Sequence, residues 1–177
     1  MTAPEPLALD KVLPSGNFGV LHGYKIHASV HGKETTLTAY TAAGEQIPPV
    51  LSDYITKPDG QVMKTIRTRT LDRIFHRDNT IWALGCQWTV TPTTDDGLAH
   101  CALLSASPAT FEVLAQQGRV HDGWDRYDQR GELNINEIDA TTIVETDINQ
   151  RTGKRDPQTA RPVYSWPPTP HPTAPAA

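Results

Sequence analysis

The sequence predicts a mainly β protein: an antiparallel meander sheet, sandwich or small barrel, with one short α-helix near 108–117 and extended Pro-rich termini. Three observations carry this. Period-two alternation of apolar and polar residues recurs through the middle of the chain, and Gly- or Pro-containing turn signals separate the alternating runs. Only one segment has the start and stop signals of a helix, so the repeated strand–helix alternation of a doubly wound nucleotide-binding sheet is missing.

The N-terminal arm, 1–16, carries Pro4, Pro6 and Pro14 and shows no periodicity. A single β-rich domain is expected over 17–155. It begins with one strand, Phe18–His31, whose face of Val20, His22, Tyr24, Ile26, Ala28 and Val30 opposes Lys25, His27, Ser29 and His31. Gly32-Lys33 turns the chain into the β-branched run Thr35–Thr41. Ala43-Gly44-Glu45 turns it again, and Pro48-Pro49 bars a regular element. Pro58-Asp59-Gly60 joins Tyr54–Thr56 to a long strand over Val62–Phe75, and Asp78-Asn79 reads as the next turn. Strict alternation then places Trp82, Leu84, Cys86, Trp88 and Val90 on one face of a strand. Thr93–Gly97 turns into Leu98–Ala106, which is apolar enough to be covered on both faces.

Ser107 is suited to cap a helix, Pro108 to its first position and Gly118 to its C-terminal stop, with Phe111, Leu114 and Ala115 as the apolar stripe. A charged loop, Arg119–Gly131, precedes two strands at Leu133–Ile138 and Thr142–Ile148. The tail, 156–177, holds seven prolines and is expected to be polyproline-like, because proline fixes φ and has no N–H to donate.

At 177 residues there is material for one core, and a net charge of −4 lacks the basic field of a general nucleic-acid binder. The apolar runs are strand-length, far short of the roughly 20 residues of a spanning helix. The first residues lack the basic start and apolar run of a signal peptide, so a cytoplasmic location with reduced thiols is expected.

Several constellations invite chemistry. His27 and His31 would be one turn apart on a helix. On a strand they stand roughly 13 Å apart, too far for one zinc ion, and His22 faces the other way; no metal or other cofactor is expected. Pairing with the next strand puts either Cys101 or His100 on the face of Cys86. The first choice gives two buried thiols; the second gives a Cys86–His100 pair able to make a thiolate nucleophile, the one catalytic candidate. The basic stretch with Arg67, Arg69, Arg73 and Arg77 reads as a solvated strand face, against the alternative of a phosphate- or acid-binding stripe, because no aromatic ladder interleaves with it. The run Asp147-x-Asn149-x-Arg151-x-Gly153 departs from a calcium loop at its sixth and twelfth positions and reads as a turn.

The resulting expectation is a non-catalytic assembly subunit, as in a virion or similar particle. Its partners are copies of itself or other subunits, without membrane or nucleic acid. Trp124, Arg126, Tyr127, Tyr164 and Trp166 are the interface residues, of types that recur at hot spots. One alternative is a β-barrel or sandwich taking a small apolar ligand among Tyr24, Trp82 and Trp88. Another is an acidic inhibitor or immunity-type protein acting through the Trp124–Tyr127 loop.

Overall fold

The computed structural model describes residues 15–40, 47–51, 55–56, 58, 61–90, 101–122, 129–131 and 133–167. Among the described residues, twelve antiparallel strands form one branched sheet that does not close into a barrel. They are β1 (Gly16–Leu21), β2 (Tyr24–His31), β3 (Glu34–Tyr40), β4 (Ile55–Thr56), β5 (Gln61–Arg67), β6 (Arg73–Ala83), β7 (Cys86–Val90) and β8 (Cys101–Ser105). The series continues with β9 (Val120–Asp122), β10 (Gln129–Gly131), β11 (Ile138–Asp147) and β12 (Arg161–Trp166). The helix α1, Pro108–Gln116, lies where the sequence puts it. The Ser107 hydroxyl accepts from the Thr110 amide at 3.2 Å, and Gly118 closes the C-terminus at φ +67°.

The longest strand, β6, organises the sheet. One edge pairs along its length with β11, and β11 carries β12 on its far side. The other edge is shared end to end. Residues 73–77 pair with β1, which leads through β2, β3 and β5 to β4, and residues 81–83 pair with β7, which leads through β8 and β10 to β9. Between the two halves stands Asn79, where a turn was expected. Its Oδ1 accepts from the Val90 amide at 2.7 Å and the Thr89 hydroxyl at 2.8 Å, and its Nδ2 donates to the Val90 carbonyl at 3.1 Å. The Asn79 backbone N–H donates to Ser15 Oγ. An amide side chain carries a donor and an acceptor like the peptide group, so it substitutes for a strand partner in the gap and lets β6 run straight through.

Two turns were missed, and each reverses the faces beyond it. His22-Gly23 and Leu84-Gly85 all have positive φ, the requirement of a two-residue type I′ hairpin. The expected strand Phe18–His31 is therefore the hairpin β1–β2, with Leu21 opposite Tyr24. Likewise Trp82 lies opposite Gln87, on the face away from Cys86, Trp88 and Val90. The expected strand Val62–Phe75 is also broken, by a 3-10 turn at Thr68–Thr70. Leu133–Ile138 is a buried leucine followed by a 3-10 turn at Ile135–Glu137, so β11 pairs with β12 instead. Leu98–His100 and the turn before them lie outside the described residues, and β8 is covered on one side only: Cys101 is buried and Leu104 is 53% exposed.

Opposite faces of β6 serve two apolar cores. Ile81 and Ala83 on its odd-numbered face join Cys86, Trp88, Val90, Cys101, Leu114, Val120, Leu133, Ile138 and Ile143. Gly131 crosses directly over Trp88; a Cβ there would stand 2.7 Å from Cζ3 of the indole and 2.5 Å from the Arg119 carbonyl oxygen. Ile74 on the even face joins the second core of Leu21, Ile26, Ala28, Leu37, Ala39, Leu51, Val62, Leu71 and Ile148. The tail departs most from expectation. Residues 157–159 form a 3-10 turn and 161–166 an edge strand, in which Pro162 sits at a bulge opposite Val144. An edge position with an irregular register is where a strand tolerates the missing N–H. Residues 1–14 and 168–177 lie outside the described part.

Candidate functional site

The basic stretch divides in two. Arg73 and Arg77, both on the odd face of β6, meet the carboxylates that β11 presents in register: Glu145 lies opposite Arg77, and Asp147 opposite Phe75. Arg77 Nη2 donates to Glu145 Oε1 at 2.9 Å, and Arg73 Nη1 to Glu145 Oε2 at 2.9 Å. Arg73 Nε donates to Asp147 Oδ1 at 2.7 Å. Arg161 of β12 stands 3.9 Å from both carboxylates. The guanidinium of Arg77 lies 4.5 Å from the Phe18 ring centroid and that of Arg73 4.2 Å from Phe75, so the cations stack on aromatic faces as well. The His27 ring packs against Phe18 with its centroid 4.7 Å away.

Arg77 is 3% exposed and Glu145 4%. Burial pushes the Glu145 carboxyl up, but the hydrogen bonds from Arg77 and Arg73 and their positive charge outweigh it and hold the group below the ordinary carboxylate range. This seam is therefore a set of ion pairs, buried at Arg77 and Glu145 and partly exposed at Arg73 and Asp147, correcting the reading of the whole stretch as a solvated face. It locks β6, β11 and β12 together and offers no open coordination or reacting position.

Arg67 and Arg69 turn the other way. They leave the end of β5 and the 3-10 turn and line an open cleft of about 850 Å³ with Lys33, Glu34, Gln150 and Arg151. Lys33 comes from the β2–β3 turn, where Gly32 has φ +62°. Gln150 and Arg151 come from the loop after β11, the segment that only superficially resembles a calcium site. That loop is a tight turn: Asn149 Oδ1 accepts from the amides of Arg151 and Thr152, and Gly153 N–H donates back to the Asn149 carbonyl.

The register of β7 with β8 places Cys101 opposite Val90, on the same face as Cys86, which is the two-thiol alternative; His100 lies outside the described residues. Both cysteines are buried free thiols in the first core. Burial raises both, Cys101 to about 11, the reverse of what a thiolate nucleophile needs. Cys86 Sγ lies 3.6 Å from the Leu84 carbonyl.

Tyr24, Trp82 and Trp88 do not converge. Trp88 is fully buried with its Nε1 donating to the Ala83 carbonyl, Trp82 lies on the other face of β6, and Tyr24 is exposed at the β1–β2 turn. Trp124, Arg126 and Tyr127 lie outside the described residues. Tyr164 and Trp166 are half-buried and pack on the first core, so the exposed apolar residue of β12 is Val163. Among the described residues no group of three or more His, Cys, Asp or Glu side chains could hold a metal ion, and no helix is long and apolar enough to cross a membrane. Comparison with protein-family models, curated proteins and solved structures finds no match for the chain.

Two features were beyond the sequence reading. The Arg77–Glu145 seam joins residues 68 apart, and the cleft gathers three segments that only the pairing of β3 with β5 and the path of the loop after β11 bring together. The one available signal was the pair of acids two residues apart at Glu145 and Asp147, which matches the spacing of Arg73, Phe75 and Arg77 across a strand pair.

Proposed function

We propose that the chain is a non-catalytic assembly subunit that contacts copies of itself or other subunits of a particle through its Pro-rich C-terminal segment. One observation supports this most directly: the fold dedicates a whole strand to fixing the root of that segment. Strand β12 is hydrogen-bonded along β11 and the Asp147 amide donates to Thr159 Oγ1 at 2.8 Å, while the half-buried Tyr164 and Trp166 pack against the first core. A proline-rich segment leaving such an anchor loses little conformational entropy on docking, since its backbone angles are largely preset.

Removing residues 168–177 tests the reading. The full chain is expected to run as an oligomer by light scattering, and the shortened chain at a lower mass with its melting temperature within about 2 °C. Equal masses for the two overturn it. The small-ligand alternative gains no support from Tyr24, Trp82 and Trp88, which occupy three separate places.

A further inference from the structure

The structure assigns the cleft of Lys33, Arg67, Arg69 and Arg151 as a binding site for a small polyphosphorylated ligand, one carrying two or more phosphate groups on a hydroxylated frame. This is independent of the tail and of the assembly reading.

The first ground is charge left uncompensated. Arg73, Arg77, Arg119, Arg155 and Arg161 all lie within 4 Å of a carboxylate. Among the described residues, none of Lys33, Arg67, Arg69 and Arg151 makes a salt bridge or a side-chain hydrogen bond. Four cations and one carboxylate thus line one cleft in a chain whose net charge is −4. Even Glu34, directly across the β3–β5 pair from Arg67, stays beyond ion-pair distance. Like charges gathered without partners repel, and an anion relieves that repulsion.

The second ground is rigidity. Each segment that carries a cation is tied down through its backbone. The Thr68 amide donates to the Lys33 carbonyl at 2.9 Å, joining the β2–β3 turn to the 3-10 turn. Beneath them the buried hydroxyls of Thr35 and Thr68 bond to each other at 2.9 Å. Gln150 Nε2 donates to the Leu71 carbonyl at 2.8 Å, clamping the Arg151 loop to the same corner. The frame is fixed while the charged ends are free, which is the arrangement that makes binding of a charged group inexpensive in ordering.

The third ground selects the ligand. Three of the four cations are arginines, whose planar fork matches phosphate oxygens two at a time. The cleft is larger than one phosphate needs and draws its cations from three directions, which suits several phosphates on a compact frame. Glu34 on the wall disfavours a uniformly anionic polymer and can accept from a ligand hydroxyl. Among the described lining residues there is no aromatic side chain on which a base could stack, which disfavours a single-stranded nucleic acid.

Isothermal titration with an inositol trisphosphate, whose ring keeps three free hydroxyls, and with inorganic tripolyphosphate tests the assignment on the full chain. Saturable one-site binding of the inositol phosphate is expected, with affinity falling severalfold between about 50 and 200 mM salt. The double variant Arg67→Gln/Arg69→Gln should bind at least tenfold more weakly, with Arg155→Gln, outside the cleft, unchanged. Glu34→Gln should weaken the inositol phosphate relative to tripolyphosphate, which has no carbon-borne hydroxyl frame. No saturable binding, equal affinity for the double variant and the wild type, or tighter binding of a short DNA duplex than of the inositol phosphate each overturns the assignment. Unchanged melting temperatures of the variants without ligand keep a folding defect from imitating the expected loss.

Discussion

Four arginines stand between positions 67 and 77, and they end in two opposite environments. Arg77 is buried and Arg73 partly buried in the β6–β11 seam, each paired with a carboxylate; Arg67 and Arg69 line an open cleft without an ion-pair partner. The residue type is the same, and the members of each pair stand an even number of positions apart, two in one case and four in the other. The difference lies in what the opposite strand supplies: β11 brings Glu145 and Asp147 into register with the first pair, whereas β3 brings only Glu34 near the second. A run of like charge is therefore no guide to exposure until its partner strand is known.

Cutting the seam should produce the largest effect. Glu145→Ala leaves Arg77 buried without its carboxylate and should cost about 3–5 kcal/mol in urea unfolding. The double replacement Arg77→Met/Glu145→Met should cost markedly less than either single one, since no uncompensated charge is left inside. A loss under about 1 kcal/mol for Glu145→Ala would mean that water reaches the seam.

The next effect probes the strand junction beside it. Asn79→Ala removes the partner of the Val90 amide and one of the two donors to the Val90 carbonyl, the Ser15 amide being the other, for an expected cost of about 2 kcal/mol. Hydrogen exchange of the Val90 amide should accelerate with it; unchanged protection would show that another group takes over.

A partly exposed pair, Arg119 with Glu137, lies between the two extremes. The Arg119 hydrogen bond, helped by the Asn134 amide, lowers Glu137 to about 2. A carboxyl lowered on folding contributes stability above its ordinary value near 4.5, and that contribution fades as pH falls toward 2. Glu137→Gln should therefore cost on the order of 1 kcal/mol at pH 7 and nothing near pH 2, measured by unfolding across that range. A pH-independent difference would assign the loss to packing instead.

The smallest effect belongs to the cleft. Arg67→Gln and Arg69→Gln should each change stability by less than about 0.5 kcal/mol, because neither side chain holds a partner. A larger loss by thermal unfolding would place these two arginines in the fold's own support.

Local chemistry accounts for what could be read in advance. The helix at 108–116 was legible because its signals are contained within a dozen neighbouring residues: a hydroxyl cap, a proline at the first turn and a left-handed glycine at the stop. The turn at Gly32 was legible for the same reason. The hairpins at His22-Gly23 and Leu84-Gly85 were not, since a histidine or leucine at the first position of a type I′ turn lacks the asparagine or aspartate that usually announces one. Each missed turn inverted the faces downstream, and with them the placing of Trp82 relative to Cys86. Asp78-Asn79 erred in the other direction. Its turn chemistry was real, but the amide bonds across the sheet to β7 rather than back to its own backbone.

What the sequence determined by itself was the class of the protein: alternating β-rich segments, one capped helix and apolar runs of strand length. Tertiary structure alone decided which charges are satisfied. The arginine–carboxylate seam, the Asn79 bridge and the cleft all join residues far apart in the chain, and strand pairing, not local propensity, fixes which of them meet.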